Sequence, residues 1–368
     1  MNDEDYMAIA LQLAKKGRGF TSPNPMVGAI IVKNGKIIGE GYHEKYGEFH
    51  AERSALNACT ENPNGATMYV TLEPCCHYGK QPPCVDAIIK SGIRRVVIGS
   101  NDPNPLVSGK GMELLRKNRV IVTEHILQEE CDQLNEVFFH YVQTKRPFVV
   151  LKYAMTMDGK LATRTGESKW VTGEIARHHV MMQRHDYRAI MVGIGTVLAD
   201  DPLLTCRMDG GRNPIRIICD TELRTPLTSK IVTTARDITT IIATCSQDQS
   251  RASLYEEKGC QVLLVQRKNG HIDLEHLMDL LGQKQIDSVL LEGGGTLNWS
   301  ALSCGIVQKV QSYIAPKLFG GQLAKTPIEG LGVASVNAAF RLKNSRILQL
   351  CEDFLIESEV ESNVYGNC

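Results

Sequence analysis

Residues 74–84 read PCCHYGKQPPC and contain three cysteines and a histidine. The stretch closes a predicted strand, ATMYVTLEP, and runs into a predicted helix, CVDAIIKSGI, that begins at Cys84. Cysteine and histidine side chains are ordinary zinc ligands in proteins. The stretch can therefore supply a structural zinc site, part of a catalytic site or a group of reactive thiols, and the rest of the chain has to distinguish between them.

Strand-like and helix-like segments alternate around this stretch. Two β-rich runs, at 27–33 and 36–42, flank Asn34-Gly35, which predicts a hairpin. HAERSALNAC predicts a helix, and further strands and helices follow as far as RVIVTE at residues 119–124. Because such alternation is typical of layered α/β domains, the first part of the chain is predicted to be one.

The chain has 368 residues, which is long enough for two domains. A polar, basic run ending at Pro147 precedes a new apolar strand, so we predict domains at residues 1–145 and 146–368. The second part again alternates strands with helices such as EIARHHVMMQRH, which predicts a sheet covered on both faces. Its end, RLKNSRILQLCEDFLIESEV, predicts an antiparallel strand pair.

The composition favours a soluble enzyme over a nucleic-acid-binding or membrane protein. Lys plus Arg and Asp plus Glu both total 41, so the formal net charge is zero. Proteins that bind nucleic-acid backbones usually carry a basic excess. No apolar run approaches the roughly 20 residues that span a bilayer, and no signal peptide is expected. Twelve cysteines in such a chain indicate thiols or metal ligands, and we expect a cytoplasmic protein.

His50 and Glu52 are predicted to act with the cysteines at one site. They stand two residues apart at a helix start, so they serve one site most easily off the N-terminal end of that helix. Cys84, at another helix start, gains thiolate stability from the helix dipole. One histidine and two cysteines leave an open fourth position for water, which is the arrangement of catalytic zinc. Glu52 could then carry a proton from that water to a leaving amine.

A structural zinc site made only from the three cysteines and the histidine of PCCHYGKQPPC is the alternative. Cys75 and Cys76 are adjacent in the chain and are poorly arranged to chelate one ion together. Such a site would also leave His50 and Glu52 without a role. These two observations favour the catalytic arrangement.

An H-x-E motif followed by P-C-x-x-C is typical of zinc-dependent nucleobase deaminases. In this chain eight residues, rather than two, separate Cys75 from Cys84. PCCHYGKQPPC, HAE and SPNPMVGAIIV resemble instead the riboflavin-pathway pyrimidine deaminases, over much of residues 1–145. The resemblance implies a cytidine-deaminase-like three-layer α/β/α fold, one Zn²⁺ per chain and a diaminopyrimidine substrate.

The same resemblance implies a role for each residue of the site. The implied zinc ligands are His50, Cys75 and Cys84, the implied proton carrier is Glu52, and the implied substrate contacts are Asn24 and His77. The resemblance also implies that Cys76 is not a ligand and that the Gly79–Lys80 stretch faces the substrate phosphate. From the residues alone, His77 could instead cap a loop.

A phosphate-binding turn is predicted in the second half, where LLEGGGTLNWSAL joins a buried strand to a helix beginning near Thr296. Glycines let the backbone approach a phosphate closely, and free N–H groups at a helix start favour an anion. Taken alone, the three glycines also fit a tight strand-to-helix connection. The dinucleotide motif G-x-G-x-x-G is absent from VGIGTVLADD, because Leu198 stands where it needs a glycine.

Together with LKYAMTMDGKLA, GESKWVTG, TVLADDPLLTCR and PIRIICD, this turn resembles the reductase half of the bifunctional riboflavin-synthesis enzymes over most of residues 147–320. The resemblance implies a dihydrofolate-reductase-like α/β fold, NADPH as hydride donor and a ribosylaminouracil phosphate as acceptor. The implied NADPH contacts are Ala154, Trp170, Thr196, Asp200, Thr221, Gly294, Gly295, Thr296, Leu297, Asn298, Trp299 and Ser300. The implied substrate contacts are Lys152, Ser168, Arg184, Leu204, Arg207 and Glu292.

Some of these residues have alternative interpretations. Lys152 could be a solvated lysine, Trp170 could be a core residue, and Asp200-Asp201 could be a turn and helix-cap pair. The guanidinium forks of Arg184 and Arg207 suit the phosphate group of the substrate.

We therefore expect a bifunctional enzyme of riboflavin biosynthesis. It would deaminate 2,5-diamino-6-(5-phosphoribosylamino)pyrimidin-4(3H)-one to 5-amino-6-(5-phosphoribosylamino)uracil and then reduce the ribosyl group to ribityl with NADPH. We expect no nucleic-acid or membrane partner, and the resemblance favours a homodimer or homotetramer. Two alternatives stay open, a nucleic-acid base deaminase with an appended domain and a non-catalytic, zinc-stabilised nucleotide-binding protein.

Overall fold

The computed structural model of the chain describes residues 1–78, 81–104 and 107–361. The chain divides into two compact units, Met1–Lys145 and Arg146–Cys368, each built around one large β-sheet. Within the described residues, every helix is too short or too polar to cross a membrane.

The first unit contains six α-helices and five strands within the described ranges. The helices are α1 (Asp3–Ala14), α2 (Ala51–Asn57), α3 (Cys84–Lys90), α4 (Lys110–Lys117), α5 (Gln128–Leu134) and α6 (Glu136–Thr144). The strands are β1 (Gly28–Lys33), β2 (Lys36–Tyr42), β3 (Thr67–Leu72), β4 (Arg95–Ser100) and β5 (Ile121–Thr123).

The five strands lie in the order β2-β1-β3-β4-β5. β1 pairs antiparallel with both β2 and β3, and β3, β4 and β5 are parallel. The predicted hairpin is confirmed, because Asn34 and Gly35 turn with φ of 51° and 77° between β1 and β2.

Both faces of this sheet are buried. Side chains alternate along β1, so that Ile31 packs into the core with α2, α3 and α4 while Ile30 packs into the core with α1. The predicted three-layer α/β/α arrangement is confirmed. The antiparallel pairing of β1 brings the loop before it to the same sheet edge as the C-terminal ends of β2, β3 and β4.

The second unit contains the remaining elements. The helices are α7 (Glu174–Asp186), α8 (Ile194–Asp200), α9 (Lys230–Thr233), α10 (Gln249–Glu257), α11 (Leu274–Gln283) and α12 (Gly295–Ser303). The strands are β6 (Phe148–Thr156), β7 (Ala189–Gly193), β8 (Ile215–Cys219), β9 (Thr240–Thr244), β10 (Gln261–Leu264), β11 (Arg267–Lys268), β12 (His271–Ile272), β13 (Ser288–Leu291), β14 (Val307–Ala315), β15 (Leu342–Leu350) and β16 (Asp353–Val360).

Nine of these strands form one sheet in the order β10-β9-β8-β7-β13-β6-β14-β16-β15. The pairs from β10 to β14 are parallel, and β16 is antiparallel to both β14 and β15. The predicted antiparallel pair at the end of the chain is therefore confirmed. Helices α11 and α12 contribute to one buried core, and α8, α9 and α10 to another. Because β6, β7, β8 and β13 are parallel, their C-terminal ends meet at one sheet edge.

Candidate active sites

The three predicted zinc ligands come from three different elements of the first unit. His50 is the residue before α2, Cys75 lies just after β3, and Cys84 is the first residue of α3. The structure brings their ligand atoms together within 4.8 Å of one another. The His50 Nδ1 atom lies 3.5 Å from the Cys75 Sγ atom and 3.4 Å from the Cys84 Sγ atom.

These separations fit a tetrahedral zinc ion. With zinc bonds of about 2.0–2.3 Å, the ligand atoms of a tetrahedral site stand roughly 3.5 Å apart. A hydrogen bond with the Cys84 thiol lowers the pKa of Cys75, and the same bond raises that of Cys84. The lowered pKa of Cys75 favours its thiolate, which is the form in which cysteines bind metals. One imidazole and two thiols leave a fourth position open, as in catalytic zinc sites.

Glu52 lies beside this cluster and is buried, with only 3% of the residue exposed. Burial, together with the neighbouring Cys75, raises the pKa of Glu52 to about 6. A carboxyl group whose pKa lies close to neutral pH both accepts and releases protons readily. The geometry therefore suits Glu52 for proton transfer next to a metal.

A cavity of about 230 Å³ opens onto the cluster. It is lined by His50, Glu52 and Cys75, by the predicted substrate contacts Asn24 and His77, and by His43, Tyr46, Glu73, Gln81, Asp102 and Asn104 among others. The His77 Nδ1 atom is buried and has no hydrogen-bond partner among the described residues. An unpaired buried nitrogen on a cavity wall is suited to a ligand atom.

His43, which the sequence reasoning missed, orients the Asn24 side chain. The His43 Nδ1 atom lies 3.0 Å from the carbonyl oxygen of Phe49, so Nδ1–H donates to that oxygen. The Nε2 atom of the same ring then accepts from the Asn24 amide nitrogen, at 3.2 Å. This leaves the Asn24 carbonyl oxygen as the atom with which the side chain accepts a hydrogen bond.

Glu73 and Asp102 were also missed. The Glu73 carboxylate accepts hydrogen bonds from the backbone N–H groups of Gly109 and Gly111, both at 3.0 Å, and so fixes the start of α4 beside the metal ligands. Burial raises the pKa of Asp102, on the cavity wall, to about 6. The sequence did contain a sign of these two residues. Glu73 and Asp102 each follow a predicted strand, and the C-terminal ends of the parallel neighbours β3 and β4 lie at the same edge of the sheet.

Two predictions for PCCHYGKQPPC concern residues other than the ligands. Cys76 is half-buried and packs against the apolar core of the first unit, outside the group of ligand atoms that includes Cys75 and Cys84. The prediction that Gly79–Lys80 faces a phosphate concerns residues outside the described ranges.

In the second unit, Lys152, Arg184 and Glu292 form one buried cluster. The Arg184 guanidinium binds the Glu292 carboxylate through Nε at 2.8 Å and Nη2 at 2.9 Å, and its Nη1 donates to the carbonyl oxygen of Thr205. The Lys152 Nζ atom lies 3.6 Å from the same carboxylate. Burial acts to raise the pKa of Glu292, but Arg184 and Lys152 together lower it to about 2.

This cluster corrects one interpretation and modifies another. Lys152 is not a solvated lysine, because only 12% of its side chain is exposed. The Arg184 fork faces a carboxylate of the protein, so at most two of its five N–H groups remain for a phosphate. Arg207, by contrast, is exposed, and Ser168 is half-buried. Leu204 is buried in the core, so a substrate can reach it mainly through its backbone.

The predicted NADPH contacts lie mostly at the sheet edge where the parallel strands end. Thr196 and Asp200 are on α8 after β7, and Thr221 follows β8. The Gly294–Ser300 turn follows β13, and Ala154 lies near the end of β6. The shared edge brings these segments together, as expected for a nucleotide site in an open α/β sheet.

Two side chains of the Gly294–Ser300 turn, those of Asn298 and Trp299, contact other parts of the protein. The Asn298 amide donates to the carbonyl oxygen of Pro327 at 2.8 Å, and the Trp299 ring packs edge-on against Phe340. A Cβ atom at Gly294 would meet no atom within 4 Å, so this side of the turn is open. The backbone N–H groups at the start of α12, rather than these two side chains, are therefore suited to a cofactor phosphate.

Trp170 is not a core residue, because 58% of it is exposed. The Arg177 guanidinium lies 4.8 Å from the centroid of its ring, and the Lys317 Nζ atom lies 2.7 Å from the carbonyl oxygen of Val171. The Arg177 guanidinium thus holds the indole ring at the surface, while Lys317 binds the backbone beside it. Asp200 ends α8 and Asp201 follows it with φ of 39°, which fits the helix-end alternative for this pair.

Replacing Glu292 with glutamine should destabilise the second unit by about 3–5 kcal/mol, because the change leaves the buried Arg184 and Lys152 without a counter-charge. Both tryptophans of the chain, Trp170 and Trp299, lie in this unit, so their fluorescence during urea unfolding reports on it. Glu275→Gln removes an exposed ion pair with Lys268 and is the matched control. It should cost at most about 1 kcal/mol, and equal losses in both variants would contradict the buried cluster.

Two family descriptions match the chain. The RibD C-terminal domain matches residues 147–356, and the cytidine and deoxycytidylate deaminase zinc-binding region matches residues 1–100. The first match alone covers more than half of the chain, and together the two matches reach into both units.

Similar proteins are found over almost the whole length. The chain is 55% identical to the riboflavin biosynthesis protein RibD of Actinobacillus pleuropneumoniae, over 98% of this chain and 96% of that protein. It is 44% identical to RibD of Aquifex aeolicus, over 96% and 97%. Among solved structures, Acinetobacter baumannii RibD superposes with a TM-score of 0.87 at 37% identity, over 98% of this chain and 99% of that chain. A Thermotoga maritima diaminohydroxyphosphoribosylaminopyrimidine deaminase/5-amino-6-(5-phosphoribosylamino)uracil reductase gives 0.86 at 39% identity, over 98% and 99%.

Proposed function

Because the chain belongs to the RibD family of riboflavin biosynthesis enzymes, we propose that its first unit carries the deaminase and its second unit the reductase. The chain is a bifunctional enzyme, both hydrolase and oxidoreductase, and its cofactors are Zn²⁺ and NADPH. It deaminates 2,5-diamino-6-(5-phosphoribosylamino)pyrimidin-4(3H)-one and then reduces the ribosyl group of the product. The two alternatives left open by the sequence are thereby set aside.

The observation that carries the deaminase assignment is the group of His50, Cys75 and Cys84 beside a buried Glu52. When bound there, zinc polarises a water molecule and lowers its pKa. Glu52 takes one proton from the water and delivers it to the 2-amino group of the pyrimidine. The water oxygen would add to C2 as the electron pair of the ring C2–N double bond moves to the ring nitrogen, which takes up the second proton of the water. The oxygen would then become the carbonyl oxygen as the bond from C2 to the amine breaks and ammonia leaves.

The cavity residues hold the pyrimidine for this step. The Asn24 carbonyl oxygen, oriented through His43, accepts a hydrogen bond from a ring N–H group. The unpaired His77 Nδ1 atom serves a polar atom of the substrate. The contacts from Asn24 and His77 hold the reacting carbon near the Glu52 carboxyl group. This proximity is the main requirement for a rapid proton transfer.

In the second unit, we assign the proton transfer of the reduction to Lys152. NADPH, when bound, supplies the hydride. As the hydride adds to C1′ of the ribose, the bond from C1′ to the ring oxygen breaks, and that oxygen takes a proton from the Lys152 Nζ atom. Glu292 is the other candidate, but its low pKa keeps it ionised at neutral pH, so it has no proton to give.

The assignment of the two units is tested by zinc analysis together with an NADPH-consumption assay. The enzyme should contain about one zinc per chain and oxidise NADPH when given the diaminopyrimidine substrate. After removal of zinc by a chelator, NADPH oxidation should stop with that substrate and continue with the pre-deaminated uracil. NADPH oxidation by the zinc-free enzyme on the diaminopyrimidine would contradict the assignment, because the reductase would then not need the deaminase product.

We also propose a homodimer or homotetramer in the cytoplasm. Within the described ranges, none of the eleven cysteines forms a disulfide, which suits a reducing compartment. The edge strand β15 is largely exposed and carries Ile347 with 70% of its surface exposed, so a second copy of the chain could pack there. Because the net charge is zero, a nucleic-acid partner is not proposed.

A further inference from the structure

Tyr313 is a completely buried aromatic residue next to Lys152. β14 pairs in parallel with β6, with Gln311 opposite Lys152 and Tyr313 opposite Ala154. Because side chains two apart on a strand share a face, Tyr313 and Lys152 project on the same side of the sheet as diagonal neighbours. The Lys152 Nζ atom lies 5.6 Å from the centroid of the Tyr313 ring.

The Tyr313 ring is held in place from α7. His179 Nδ1 and the Tyr313 hydroxyl share a hydrogen bond of 2.7 Å. Ala176 and Val180, on the same face of α7, pack with the ring and with Leu355 in a small buried core. The ring therefore has one position, and the face that it turns to Lys152 is set by the fold.

The Lys152 ammonium group has two attractive neighbours. The Glu292 carboxylate lies 3.6 Å from its Nζ atom, and the electron-rich face of the Tyr313 ring lies beneath it, with the centroid 5.6 Å away. Among the described residues, further charged or titratable groups near this region are Arg184 and His179 on α7, Glu357 on β16, and Lys309 on β14, whose Nζ atom lies 3.6 Å from Glu357. Arg184 is bound to Glu292, and Glu357 is bound to Gln311.

We propose that Tyr313 is a positioning residue for the reduction, whose ring face holds the Lys152 ammonium group towards the substrate while His179 fixes the ring. The proposal rests on the function assigned to Lys152 above. It requires the ring of Tyr313, whereas the hydroxyl group matters only because it keeps the ring in place. A phenylalanine at this position should therefore preserve most of the effect, and a leucine should not.

The test is the pH dependence of the reductase kcat, measured on the full-length enzyme with the pre-deaminated uracil and NADPH. A ring face stabilises the charged form of Lys152 and raises its pKa, so loss of the ring lowers that pKa. Tyr313→Leu should move the alkaline loss of activity about one pH unit lower, so that kcat falls about tenfold at pH values where the wild-type enzyme is already losing activity. Tyr313→Phe should leave the alkaline limb, the part of the pH profile in which activity falls as the pH rises, at the wild-type position.

Controls separate this effect from a general packing defect. Tyr42→Leu removes another tyrosine ring that faces a lysine, Lys16 at 5.9 Å, in the first unit, and should leave the alkaline loss of reductase activity where it is. If Tyr313→Leu does not fold, a ring-fluorinated phenylalanine at position 313 keeps the packing and withdraws electrons from the ring face. It should shift the limb in the same direction, relative to Tyr313→Phe.

The outcomes distinguish the proposed role of the Tyr313 ring from the assignment of Lys152 as the proton donor. An unchanged alkaline limb in the folded leucine and fluorinated variants would overturn the role of the ring. An equal shift in Tyr313→Phe and Tyr313→Leu would overturn it as well, since a loss of the hydroxyl group would then explain both. If Lys152→Gln keeps full reductase activity with an unchanged limb, the assignment of Lys152 itself fails, whatever the ring variants show.

Discussion

Replacing Glu52 with glutamine lowers the deaminase kcat by about 10²–10⁴-fold, the range expected when a general acid–base group is lost. Glutamine has nearly the same shape as glutamate but cannot accept the proton of the attacking water. The zinc content stays the same, because His50, Cys75 and Cys84 are unchanged. The measurements are ammonia release from the diaminopyrimidine and zinc per chain in the same preparation.

The reductase provides an internal control for this variant. Glu52→Gln should oxidise NADPH at the wild-type rate when given the pre-deaminated uracil, because the second unit is untouched. Glu44→Gln changes an exposed carboxyl group of the first unit in the same way and should keep full deaminase activity. Deamination at more than a tenth of the wild-type rate in Glu52→Gln would mean that another group carries the proton.

Replacing Cys84 with serine removes zinc from the first unit, and replacing Cys76 with serine does not. Cys84 supplies one of the three ligand atoms, and a serine hydroxyl is too weak an acid to replace a thiolate. Zinc should fall from about one per chain to near zero in Cys84→Ser, and deamination should fall with it. In Cys76→Ser the half-buried side chain changes only its packing against the core.

Thermal unfolding gives a second measurement of the same difference. A metal held at 100 times its dissociation constant stabilises the folded state by about 2.7 kcal/mol. A chelator should therefore lower the melting temperature of the first unit in the wild type and in Cys76→Ser, but not in Cys84→Ser. Loss of zinc from Cys76→Ser as well as from Cys84→Ser would support the structural site made only from PCCHYGKQPPC, because both cysteines are ligands of that site.

Local patterns determined much of what could be predicted. Asn34-Gly35 between two β-rich runs specifies a hairpin, because this pair adopts positive φ at little cost. The placement of His50 before a helix and of Cys84 at the start of another follows from helix signals within a few residues. These features depend on neighbours in the chain, so the sequence alone is enough to find them.

Other parts of the site depend on contacts between distant segments. Glu73 reaches the backbone at Gly109 and Gly111, 36 and 38 residues further along. Arg184 binds Glu292, which lies 108 residues further along the chain. Most of the N–H groups of a guanidinium that suits a phosphate are therefore bound to groups of the protein itself. Leu204, predicted at the substrate, has its side chain in a core that also contains residues of α8, α9 and α10.

The amino-acid sequence by itself predicted the hairpin at Asn34-Gly35, the alternation of strands and helices in both parts of the chain and the antiparallel strand pair near its end. Propensity, turn chemistry and ligand chemistry act over short distances, and they can be read directly. Only the tertiary structure decided which of those side chains meet. The partners of Asn24, Glu73, Lys152 and Arg184 come from strands and helices that the sheet order brings together, and the burial that sets their pKa values and hydrogen bonds exists only after the chain has folded.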